Sequence, residues 1–175
     1  AGLTSLPRLR RLALPQWIGP KNAVALAASP LLARLLELDL SRSPIRAEGL
    51  AALGKSPHLR QLEVLRLADG LVALDAPGFK DTPSWARLHT LDLADNRLSD
   101  AAFAALADNR ALAGLRVLDL TRVHGVTDAA LAKFVAGLPA LEVVRLDRTN
   151  VGDLTFAALV RTAGPNLREL VLPYG

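Results

Sequence analysis

Carboxylates and arginines are the residues of this chain best placed to do chemistry. Asp92 and Asp119 hold the same position in two related segments, LHTLDL and LRVLDL, and Asp95 lies three residues beyond Asp92. Neighbouring carboxylates can hold a divalent cation or act as an acid and base pair, but both tasks need a pocket that excludes water. The residues around them alternate apolar and polar, which places them on the open face of a strand. No catalytic residue, metal site or cofactor is therefore expected. The histidines His58, His89 and His124 share no ligand spacing, and turns are expected at His58 and His124. No Ser/His/Asp elbow and no glycine-rich phosphate loop occurs. Cysteine is absent, which removes disulfides, thiolate metal sites and cysteine nucleophiles. We expect a protein that is not an enzyme.

The formal charge of +4 and the pI near 10.1 raise the question of an anionic partner. Against it, 17 acidic residues are interleaved with 21 basic ones, and no basic run exceeds Arg10-Arg11. We therefore expect nucleic acid to be an unlikely partner. No long apolar run and no leader-like start is visible, so neither a membrane association nor export is expected, and a cytoplasmic home is favoured. The chain begins without methionine and stops just after a strand-like segment. It is expected to be one domain, 1–175, cut from a longer chain.

The carboxylates are placed by a repeat. LRRLAL from Leu9, LLELDL from Leu35, LEVLRL from Leu62, LHTLDL from Leu88, LRVLDL from Leu115, LEVVRL from Leu141 and LRELVL from Leu167 share the pattern L-x-x-L-x-L, with Val144 once in place of leucine. Their starts lie 26, 27, 26, 27, 26 and 26 residues apart. Such a period fits one strand plus one return segment, a unit that can bury its apolar face only against its neighbours. In the fourth unit Ser99 and Asp100 offer a helix start, with Phe103 and Leu106 inward. Thr127 and Asp128 precede Leu131 and Phe134 in the same way, and Asp153 precedes Phe156 and Leu159. Leu50 and Leu53 serve the second unit, and Gly19-Pro20 opens a helix with Val24 and Ala27 inward. Helices are expected over 20–28, 47–54, 100–107, 128–136 and 153–162. In the third unit Pro77, Gly78 and Pro83 forbid a regular helix over 74–84, leaving Leu74 and Phe79 as anchors.

These segments resemble the leucine-rich repeat family over nearly the whole chain, and GVTDAALAKF (125–134) is similar to its ribonuclease-inhibitor-like and cysteine-containing subclasses, here without the cysteines. The resemblance implies an α/β fold, a right-handed solenoid curved into a horseshoe, with about seven parallel strands on the concave side and helices on the convex side. It implies a non-enzymatic protein-interaction module, bacterial in type, whose partners are another protein and flanking domains of its own chain. A sensor part of an immune-type or ubiquitin-ligase-like assembly is a second possibility. The family's asparagine ladder survives only as Asn96; Ser43 and Thr149 are substitutes able to hydrogen-bond, and Val123 is not.

On such a sheet the columns between the leucines read Ala13, Asp39, Arg66, Asp92, Asp119, Arg145, Val171; then Gln16, Arg42, Asp69, Asp95, Arg122, Arg148, Tyr174; then Arg10, Leu36, Glu63, His89, Arg116, Glu142, Arg168. Their alternating signs suit a ladder of ion pairs that keeps the face soluble. They equally suit a partner-binding face made of Arg66, His89, Asp92, Asp95, Arg116, Asp119, Arg122, Arg145 and Arg148. A polyanion or nucleic-acid binder using the concave arginines is the alternative from another class. Trp85 is expected in the core, while Trp17 and Tyr174 lie where a flanking domain would reach them.

Overall fold

The computed structural model describes residues 8–14, 18–70 and 79–173. Seven strands, β1 Arg11–Ala13, β2 Glu37–Asp39, β3 Val64–Arg66, β4 Thr90–Asp92, β5 Val117–Asp119, β6 Val143–Arg145 and β7 Glu169–Val171, form one parallel sheet in sequence order. The repeat sets the register. Leu12, Leu38, Leu65, Leu91, Leu118, Val144 and Leu170 pair in a row, so each repeat stands beside the equivalent residues of the next. Five α-helices are described: α1 Pro20–Ala27, α2 Arg46–Gly54, α3 Asp100–Ala107, α4 Asp128–Val135 and α5 Asp153–Ala163. Short 3-10 turns, Pro30–Leu32, Pro83–Trp85 and Arg110–Leu112, lead back toward the strands. The fold is α/β, with the core between the sheet and its return segments.

The helix starts follow from their caps. Gly19 precedes Pro20 at the head of α1, where the missing proline N–H costs nothing. The Ser99 and Thr127 hydroxyls accept from the N–H groups of Ala102 and Ala130 at 3.3 and 3.4 Å. Asp100 and Asp128 bind the next unit instead. The Asp100 carboxylate accepts from the Thr127 N–H (2.7 Å) and hydroxyl (2.8 Å), and that of Asp128 from Gly152, Leu154 and Thr155. One helix start is thus tied to the following one.

In the turns after the strands, the Asn96 amide donates to the carbonyls of Leu67, Leu93 and Ala94 and accepts from the Gly70 N–H. Thr149 donates to Leu120 and Ser43 to Leu14, so both substitutes do the ladder's work, while Val123 at the same position is buried as plain core. Gly70 is required by space, since a Cβ there would lie 2.7 Å from the Ser43 carbonyl oxygen.

Phe103, Leu106, Leu131, Phe134 and Leu159 are buried, and Phe103 meets Phe134 edge to face at 5.7 Å. Phe79 and Trp85 are also buried and in edge contact. Phe156 departs from expectation, being 47% exposed. It continues the column of Phe103 and Leu131, but α5 is the last described helix and nothing in the described residues lies over its far side. Val24 is exposed too, and Ala23 is inward in its place. The reason is close helix packing: a Cβ on Gly49 of α2 would come within 2.7 Å of the Ala23 Cβ, so only a small side chain fits that seam. Residues 79–84 contain no α-helix, as expected, whereas Leu74, Pro77 and Gly78 lie outside the described residues, as do Gln16, Trp17 and Tyr174. His124 is not in a turn, for it forms an isolated parallel bridge with Arg97.

Candidate functional site

The registered sheet brings the expected columns together. Asp39 stands beside Arg66, Arg66 beside Asp92, Asp92 beside Asp119, and Asp119 beside Arg145. Asp39, Asp92 and Asp119 each turn one carboxylate oxygen back to the N–H two residues on, those of Ser41, Ala94 and Thr121, at 2.9 to 3.0 Å. These contacts shape the exit from the strand. Burial, reinforced by neighbouring Asp119 and Asp39, raises the Asp92 pKa against the opposing Ala94 hydrogen bond and the Arg66 charge. No group of three or more Asp, Glu or His positioned to hold a metal ion is found among the described residues.

Three residues after each strand of β2 to β6 the backbone takes a left-handed turn without glycine: φ is 62° at Arg42, 51° at Asp69, 58° at Asp95, 56° at Arg122 and 54° at Arg148. The turn sets these charged side chains in one row. Arg122 grips Asp95 through two hydrogen bonds, which, with the Asp95 charge, raise the pKa of the guanidinium further. Arg42 stands 4.0 Å from Asp69, and Arg148 3.8 Å from Asp147.

The remaining charges of the face are also matched. Arg66 pairs with Glu37, two residues from the expected Asp39, and Glu37 takes Arg11 as well. Arg145 bridges Glu169 at 2.9 Å and Asp119 at 3.9 Å. Arg116 and Arg168 share Glu142, and His89 lies 3.5 Å from Glu63. Arg66, Asp95, Arg116, Asp119, Arg122, Arg145 and Arg148 therefore each have an oppositely charged neighbour, His89 stands beside Glu63, and Asp92 has its backbone donor. Each pair has at least one member open to solvent, so the ladder is a soluble surface more than a source of stability.

Comparison with known proteins adds one finding. The chain is 31% identical over 128 residues, 73% of its length, to the Holliday junction branch migration complex subunit RuvA of Chlorobium luteolum (strain DSM 273). The match spans 62% of that relative, less than two thirds of its length. No family model matches the chain. This similarity overturns the expectation of a generic protein-interaction or sensor module for which nucleic acid is an unlikely partner, and with it the description of the chain as a protein-binding domain. The interleaving of charges along the sequence was a poor guide, because it averages over surfaces that the fold separates.

One such surface was missed by a sequence reading centred on the strands. The turns leading into β1, β2, β3 and β4 place exposed Arg8, Arg34, Arg60 and Arg87 on the rim where the strands begin, and none makes an ion pair with a described residue. Their signal was present, as a basic residue one or two positions before the first leucine of four successive repeats. Among the described residues no helix is long and apolar enough to cross a membrane.

Proposed function

We propose that the protein binds nucleic acid, as the alternative reading of its arginines anticipates. The similarity to RuvA carries this proposal, since that protein's name places it in a complex acting on Holliday junctions, which are four-way DNA. A net charge of +4 supports it, because phosphate binding gains its free energy from cationic side chains that displace condensed counterions. The described residues offer backbone and arginine contacts to phosphate, and the proposed role is binding. We also propose that the seven units stack as a right-handed solenoid of the leucine-rich repeat kind. Strands spaced about 4.8 Å and helices needing about 8 to 10 Å would curve it with the sheet inward. On that sheet Arg66, Arg116, Arg122, Arg145 and Arg148 reach phosphate only by releasing carboxylates. The test is gel retardation of a labelled four-way junction and of a duplex of equal length at low salt. Retention of either DNA is expected; free migration of both at micromolar protein would contradict the proposal.

A further inference from the structure

Four return segments stand out for their charge. Residues 29–36, 55–62, 82–88 and 109–116 contain Arg34, Lys55, His58, Arg60, Arg87, Arg110 and Arg116 and not one aspartate or glutamate. They end in the turns before β2 to β5, which places Arg34, Arg60 and Arg87 on one rim of the sheet. Arg34, Arg60 and Arg87 are exposed, lie on three successive repeats and form no ion pair with a described residue. Arg8 extends the row in the turn before β1, and Arg10 donates to the Arg34 carbonyl at 3.4 Å.

At the β4 and β5 end of this rim lies an open groove of about 460 Å³ lined by Ala86, Arg87, Leu88, His89, Gly114 and Arg116. Glu63 and Glu142, each just ahead of a strand, engage His89 and Arg116, which leaves Arg87 as the arginine of the groove with no carboxylate partner among the described residues. A Cβ on Gly114 would meet nothing within 4 Å, so that wall can be altered without disturbing the packing.

We propose that this rim, rather than the sheet face, is the binding track for a nucleic-acid backbone, with Arg34, Arg60 and Arg87 on successive phosphates and the groove receiving the one that Arg87 holds. The inference rests on the nucleic-acid reading above. Adjacent strands are about 4.8 Å apart, so side chains as long as arginine span the phosphate spacing along one strand. Backbone contacts of this kind fix position and carry no sequence preference.

The test follows binding of a fluorescent duplex by anisotropy against salt, with thermal melting as the check on folding. Each phosphate contact contributes about 0.9 to the slope of log K against log salt. R34A/R60A/R87A should lower that slope by about 2 to 3 and weaken binding at least tenfold. G114E, which sets a carboxylate over the groove, should weaken it as well. R122A/R145A on the face should leave the slope unchanged. An unaltered slope in the rim variant, with loss in the face variant, would overturn the rim assignment and leave nucleic-acid binding standing. No binding by the unmodified protein would overturn both.

Discussion

Asp92 and Asp128 are both aspartates in tight local bonds, yet they respond to pH in opposite senses. Burial raises the pKa of Asp92, so its charge costs stability above the folded pKa and that cost fades as pH falls. Asp92→Asn keeps an acceptor for the Ala94 N–H and removes repulsion with Asp119. Its denaturation midpoint at pH 7 should equal or exceed that of the parent, and a loss above about 1 kcal/mol would contradict the account of the site. At Asp128 burial is the largest single influence and raises the pKa, but the hydrogen bonds from Thr155, Gly152 and Leu154 together outweigh it, and the pKa is lowered. Its contribution is present above the ordinary aspartate range and is lost as pH falls through the lower folded value. Asp128→Ala should therefore melt earlier than the parent at pH 7, with the gap narrowing as pH falls below the ordinary aspartate range; a gap independent of pH would show that the charge is idle.

At the scale of elements, α1 packs on α2, α3 on α4 and α4 on α5. Phe134 is enclosed between the sheet, α3 and α5, and Phe134→Ala should cost about 3 to 5 kcal/mol as a large-to-small core change. Phe156, equivalent to buried Phe103 but open on α5, should cost less than about 1 kcal/mol when cut to alanine. Equal losses in urea titrations of the two variants would show that the end of the array is covered in solution. The strands and helix starts were legible because Leu38, Leu65 and Leu91, or Ser99 and Thr127, act within one unit. Val24 and Phe156 were misplaced because their burial depends on the adjoining unit: Gly49 demands a small partner, and no described helix follows α5. His124 was misplaced for a similar reason, since its extended backbone answers Arg97 one repeat earlier.

Across the whole molecule the charges are sorted by the fold. Arg66, Arg122 and Arg145 were visible as candidates because they sit between the leucines, and the same strand register that displays them supplies Glu37, Asp95, Glu169 and Asp119 to answer them. Arg34, Arg60 and Arg87 lie in segments that carry no strand or α-helix signal, so a reading centred on the strands passed over the basic residue that recurs just before the first leucine of the repeats. Nucleic-acid binding through arginine and phosphate contacts is the central claim, and its most direct test is the affinity of the unmodified protein for a duplex measured across a series of salt concentrations. Three rim contacts predict a straight line of log K against log salt with a slope near −2.7 or steeper. A flat line, or no measurable binding at the lowest salt, would contradict it.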